Sequence, residues 1–236
     1  MIEKQTRRER LRAEATQEIK KIALELMSEG GPDAISLRAI AREMGMTPSA
    51  LYGYFPTRDD LITTLIVDVY SSLLDVAEAA RDRHPAGDPA GRVLAWASAV
   101  RDWALANPEG FRLIYGDPVP GYQPPTDGPA ADLARRACED LVGLVAMIWS
   151  HAPSTRPGTD FAWSDFAPQL AAHVREAFPD LPPAAVALAL RIWGRMHGLL
   201  SLEIYGHLRF QTPHPGKLYG AEMRELIKSL GLTPPE

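Results

Sequence analysis

The 236-residue sequence predicts an all-α protein, with a three-helix head joined by a long fourth helix to a larger helical bundle. Two observations carry this prediction. Apolar residues recur with helical spacing along almost the whole chain, and no segment alternates like a half-buried strand. The breaks between these stripes are punctuated as helix ends are, by a capping residue followed by proline, or by glycine.

Ile19, Ile22, Ala23, Leu26 and Met27 form the first apolar stripe, which stops at Gly30-Gly31-Pro32. Leu37, Ile40, Ala41 and Met44 form the second, with Ser36 placed to cap its first turn. Gly45 supplies the left-handed position needed just past a helix end. Thr47 is the natural cap of a third, very short helix, and Pro48 its first residue, where a missing N–H costs nothing. Thr57 caps a fourth helix, whose first turn carries Asp59 and Asp60 at its positive end. Leu61, Leu65, Ile66, Val69 and Leu73 continue it toward Arg83. Asp88-Pro89 and Asn107-Pro108 open helices over 89–107 and 108–115. Gly116–Pro129 is too rich in proline and glycine to be helical and reads as a mobile loop. Further helices are expected over 130–151, 163–178, 183–209 and 216–230.

Composition excludes several classes. Hydrophobic residues make up 46% and charged residues 23%, which is ordinary for a globular chain. No stretch approaches the roughly 18 uninterrupted apolar residues needed to span a bilayer, so no membrane role is expected. The charged N-terminus lacks the apolar centre of an export signal, so a cytoplasmic location is expected. A single cysteine, Cys138, excludes an internal disulfide and a multi-cysteine zinc site. The six histidines are scattered, with no His-Glu-x-x-His pattern and no glycine-rich phosphate loop. No catalytic residue, metal or cofactor is therefore expected, and the chain does not read as an enzyme. Net charge is −5, but residues 1–60 hold ten acids and ten bases, so the rest of the chain carries the whole deficit. The N-terminal arm is locally basic, through Lys4, Arg7, Arg8, Arg10 and Arg12. It is equally compatible with a solvated tail and with a contact to DNA.

Helices near 36–44 and 48–54, joined by a turn after Gly45, have helix-turn-helix spacing. In that motif the second helix enters the major groove of duplex DNA by its N-terminal end, so two turns are enough. Pro48, Ser49 and Ala50 are small and permit close approach. Ser49 can bond a base or phosphate, while Ala50 or Pro48 can touch a thymine methyl. Thr47, Tyr52 and Tyr54 carry hydroxyls suited to phosphates, though Tyr52 would serve equally as packing on the first helix. The helix starts at Ser36, Thr47 and Thr57 offer free N–H groups to phosphate, and Arg38, Arg42 and Arg58 supply cations.

These residues resemble a known family. "SLRAIAREMGMTPSALYGYFPTRDDLI" is similar to the DNA-binding region of TetR-type transcriptional regulators: Ala41, Gly45, Thr47, Leu51, Tyr52, Tyr54, Phe55, Arg58 and Leu61 stand where that pattern wants them. Gly53 replaces a larger residue, Arg58 the commoner lysine and Tyr54 the commoner histidine. "RIWGRMHGLLSLEIYGHL", with Trp193, His197 and Gly198, resembles the rear domain named for its Trp-His-Gly signature, and "RDWALANPEGFRLIYG" the segment preceding it. The resemblance implies a helix-turn-helix domain over 1–57 and a ligand-binding and dimerisation domain over 58–236. It implies a homodimer that joins through its last two long helices, holds a palindromic operator in double-stranded DNA as a repressor, and is released by a small effector. Trp96, Trp103, Phe111, Tyr115, Trp149, Phe166, Trp193 and His197 are candidate walls of an apolar or aromatic effector pocket, and equally candidate core. His197 can instead brace the helices through a buried hydrogen bond. The alternative function is a DNA-binding protein whose rear bundle serves only assembly or protein partnering.

Overall fold

A computed structural model describes residues 6–151 and 160–234. Among them ten α-helices follow one another: α1 (Arg7–Gly30), α2 (Leu37–Glu43), α3 (Pro48–Tyr52), α4 (Arg58–Asp82), α5 (Pro89–Ala106), α6 (Pro108–Tyr115), α7 (Pro129–His151), α8 (Pro168–Ala177), α9 (Pro183–Ile204) and α10 (Pro215–Ser229). There is no strand among the described residues, so the chain is all-α as its periodicity predicts. Among these residues no helix is long and apolar enough to cross a membrane.

Two ends differ from expectation. The segment from Trp163 makes only a short 3-10 turn, Trp163–Asp165; Phe166 is extended and α8 starts at Pro168, because proline pre-sets a first helical turn and disfavours helix just before it. Helix α9 stops at Ile204, short of the expected residue 209. Gly206 takes φ +77°, His207 N–H donates to the Leu202 carbonyl (2.8 Å) and Gly206 N–H to that of Glu203 (3.0 Å). That paired return of the chain satisfies the last carbonyls and ends the helix.

The chain divides into two compact units. The first comprises residues 1–70 with 107–131, the second 71–106 with 132–236. In the first, Ile19, Ala23, Ile40, Leu51, Leu61, Ile62 and Leu65 are fully or almost fully buried. Helix α6 lies against α1, and its Phe111 and Leu113 are buried. Residues 116–128 are non-helical, as expected, but they are tied down rather than loose. The Tyr122 and Thr63 hydroxyls are 3.0 Å apart, Pro120 O accepts from Arg58, and Val119 is buried.

In the second unit α5, α9 and α10 pack around Val93, Val100, Ala185, Ile192, Met196, Leu200, Met223 and Ile227. Several polar groups there are tied across elements. Arg101 holds Glu203 through two N–H groups (2.9 and 2.6 Å), and the Tyr219 hydroxyl donates to Ala97 O at 2.9 Å. The Asp140 carboxylate accepts from Trp96 Nε1 and from Arg81 Nη1. Arg136 joins α7 to α4 through Glu78 and Asp75.

Candidate nucleic-acid interface

The helix-turn-helix is built from local rules. Met46 N–H returns to Ala41 O (2.8 Å) and Gly45 N–H to Arg42 O (3.1 Å), while Gly45 takes φ +63°. This closes α2 and turns the chain into α3 within a few residues. A Cβ at Gly45 would meet nothing within 4 Å, so only the backbone conformation demands glycine. Gly45→Ala is therefore expected to destabilise the head by about 1–2 kcal/mol, the cost of left-handed backbone for an L-residue. Thermal melting checks it, and an unchanged transition would contradict the assignment.

At the start of α3 the Thr47 side chain accepts from Ala50 N–H (3.3 Å), and Pro48 is the first helical residue. Leu51 is the anchor, fully buried beneath the motif. Pro48, Ser49 and Ala50 all face solvent, and Tyr52 is 47% exposed. The tip of α3 thus offers a small hydroxyl, a methyl and a proline ring on a surface with no bulky neighbour of its own turn. That shape admits the edge of a base pair.

The flanking residues divide into those that face outward and those engaged within the head. Arg38 and Arg42 are exposed. Ser36 stands at the cap position of α2, but its hydroxyl makes no capping bond, contrary to expectation. The first N–H groups of α2 are thereby left for another acceptor. Thr57 and Asp60 do form a closed cap for α4: Asp60 N–H donates to Thr57 Oγ1 (3.0 Å), while Thr57 N–H and Oγ1–H donate to Asp60 Oδ2 (3.0 and 2.7 Å). Tyr54 is half-buried, with the Arg12 guanidinium 4.9 Å over its ring.

Arg58, expected from sequence to hold a phosphate, is engaged within the head. Its Nε donates to Ile35 O (2.7 Å), Nη1 to Pro120 O (3.1 Å) and Nη2 to Pro32 O (3.2 Å). One guanidinium thus ties the start of α4 to the turn before α2 and to the loop after α6. Its fork fits carbonyls that lie far apart in sequence, which no local pattern reveals.

The eight aromatic and histidine candidates for a ligand pocket fall in both compact units, and their surroundings differ. Trp96 and Trp103 are core residues, with indole N–H groups donating to Asp140 and to Ser72 Oγ (2.9 Å). Phe111 and Tyr115 belong to the first compact unit, 5.2 Å apart between ring centres, and Tyr115 also meets Tyr70 edge-on at 6.0 Å. Burial pushes both tyrosine hydroxyls upward from the ordinary value, so they stay neutral. Phe166 stacks on Phe161. Trp149 lines a cleft of about 440 Å³ with Ala146, Phe178 and Leu181. Trp193 lies 5.1 Å from His197 on one side of α9. Burial lowers the His197 pKa, which keeps its imidazole neutral at pH 7. Helical periodicity locates such residues on faces but cannot say which faces share a cavity.

Comparison with known proteins agrees with the head's geometry. The family described as bacterial regulatory proteins, tetR family, matches residues 19–65, and the tetracyclin repressor-like C-terminal domain matches residues 93–226. The HTH-type transcriptional regulators Mb1846 of Mycobacterium bovis and Rv1816 of Mycobacterium tuberculosis are each 35% identical over 237 residues, covering 96% of this chain and 98% of theirs. The crystal structure of SCO4313 has TM-score 0.73 at 38% identity, covering 94% of this chain and all of that one. The TetR family regulator PfmR of Thermus thermophilus shares the fold, with TM-score 0.60 at 14% identity over 89% of this chain and 97% of its own. These relatives form a class of regulators rather than enzymes. The chain belongs to the TetR family of transcriptional regulators, with an N-terminal DNA-binding helix-turn-helix and a TetR-type C-terminal domain.

Proposed function

We propose that the protein is a cytoplasmic, homodimeric repressor that grips a palindromic operator and lets go when a small apolar or aromatic effector binds its second unit. The observation that carries the DNA-reading step is the bare tip of α3. Thr47, itself exposed, caps the helix start while Pro48, Ser49 and Ala50 face out. Ser36, Arg38, Thr47, Tyr52, Tyr54 and Arg58 are assigned to the flanking backbone, with Arg58 also bracing the head that presents them. Residues 1–57 hold the DNA-reading elements, and residues 58–236 are assigned to effector binding and dimerisation.

Dimerisation is supported by one side of α9. Leu190 (44%) and Leu202 (41%) are exposed, and Leu218 of α10 is 43% exposed. A Cβ at Gly194 or Gly198 would meet nothing within 4 Å. Exposed leucines flanking two glycines suit the close approach of an identical helix, and two-fold symmetry matches the two half-sites of a palindrome. For the effector, the cleft at Trp149, Phe178 and Leu181 is apolar and within the volume range of small-ligand sites. Release requires effector affinity to differ between the DNA-bound and DNA-free states.

Sedimentation of the protein alone and with its operator duplex tests the assembly. The expected result is a dimer in both, converted to monomers with weakened DNA binding by Leu190→Glu with Leu202→Glu. A native monomer, or a dimer indifferent to both substitutions, would remove this part of the proposal.

A further inference from the structure

We propose that the first two turns of α1 are a second DNA-contacting surface, through which Arg7, Arg8 and Arg12 hold backbone phosphates beside the groove that α3 enters. This rests on the reading of the head as a duplex-DNA binder, and it gives the basic arm a place in that complex.

Three observations support it. First, the arm from Arg7 onward is helical, and its start is closed reciprocally: Glu9 N–H donates to Thr6 Oγ1 (3.2 Å) and Thr6 N–H to Glu9 Oε2 (2.7 Å). The acid in this turn is thereby drawn back onto the cap and away from the arginines. Second, helical spacing sorts the cations. Arg7, Arg8, Leu11 and Arg12 share one side of α1 and line a cleft with Tyr54. Arg10 falls on another side, 4.0 Å from Glu14. Among the described residues no carboxylate lies within ion-pair distance of Arg7, Arg8 or Arg12, all of which are exposed. A chain of net charge −5 thus concentrates uncompensated guanidinium groups on one short stretch of helix.

Third, that stretch is fixed against the reading helix. Arg12 Nη2 donates to Gly53 O at 2.7 Å, and Gly53 is the residue that ends α3. The same guanidinium covers the Tyr54 ring. A recognition helix enters the groove with its N-terminal end foremost, so its C-terminal end sits toward the groove's edge. The edge is formed by phosphates. Arg8 lies one turn before Arg12, about 6 Å along the axis, close to the spacing of successive phosphates on a strand. Guanidinium forks bind phosphate oxygens in pairs and, at this place, touch no base. The contact therefore adds affinity and fixes register without changing the sequence read.

The test measures affinity of the full-length protein for its selected operator duplex as a function of salt. Arg7→Ala with Arg8→Ala is compared with Arg10→Ala with Lys21→Ala, which removes the same charge from other sides of α1 at residues paired with Glu14 and Glu25. The first pair is expected to lower the slope of log affinity against log salt by about 1.8, because two phosphates would no longer be neutralised. Its preferred operator sequence and melting temperature should stay as in the native protein. The control pair should change the slope far less. Equal loss from both pairs would reduce the effect to overall charge and overturn the assignment, as would an unchanged slope in the first. A changed consensus in the first pair would also overturn it. Absence of any duplex binding by the native protein would instead defeat the DNA-binding reading itself.

Discussion

Ser49→Glu is expected to abolish operator recognition while leaving the protein as stable as before. Ser49 is exposed at the second position of α3, where an acid favours the positive end of the helix dipole. Folding therefore has no reason to suffer, and a gain of a few tenths of a kcal/mol is the direction expected. On DNA the same carboxylate would enter a groove walled by phosphates. Like charges brought together at an interface cost several kcal/mol, so affinity should fall by at least about a hundredfold. Ser49→Ala removes only a hydroxyl and should shift base preference more than it weakens binding. Fluorescence anisotropy with labelled duplex, beside thermal melting, separates the two outcomes. Parallel losses of stability and affinity would mean that Ser49 supports the fold rather than reads DNA.

The largest loss of stability is expected from Asp140→Ala. Asp140 is 5% exposed and accepts from the Trp96 indole and from Arg81. Arg81 also holds Asp82, which in turn holds Arg92, so the carboxylate is the buried end of a chain of charges. Removing it strands the Trp96 N–H in the core and takes a partner from a guanidinium that is itself mostly buried. Loss of one member of such a pair costs about 3 kcal/mol. For a chain of this size that corresponds to a fall of roughly 6–12 °C in melting temperature. Asp140→Asn keeps an acceptor for the indole and should cost much less. Burial raises the Asp140 pKa, against the opposing pull of Trp96 and Arg81. If the two variants melted alike, the charge rather than the acceptor would be the element that holds Trp96 and α7 together.

What could be read from residue order was what is local. Caps, prolines and glycines act within four residues, so Thr47-Pro48, Thr57 with Asp60, and Gly45 are legible without coordinates. The helix-turn-helix is such a local object, and with its sharp signature it stands nearly complete in the string. Arg58 shows the opposite case. Its position next to the cap suggests phosphate, but its three acceptors come from Pro32, Ile35 and Pro120 and meet only in the folded head. Arg12 likewise shows more than the sequence reveals: a cation in a basic arm is also a tie to Gly53 once α1 is placed. The aromatic set is ambiguous in sequence for the same reason. Tryptophan and tyrosine satisfy an apolar core as well as a pocket wall, and Asp140 or Ser72 decides which. The early stop of α9 had a readable signal in Tyr205-Gly206, overridden by the apolar residues beyond it.

The proposed function turns on the outward-facing tip of α3 reading duplex DNA as one of two symmetric heads. Selection of bound fragments from random duplex DNA by purified full-length protein tests this most directly. A palindromic consensus is expected for the native protein, with its half-site bases lost or altered when Ser49 or Ala50 is substituted. Enrichment of no sequence, or a consensus unmoved by changes at that tip, would contradict it.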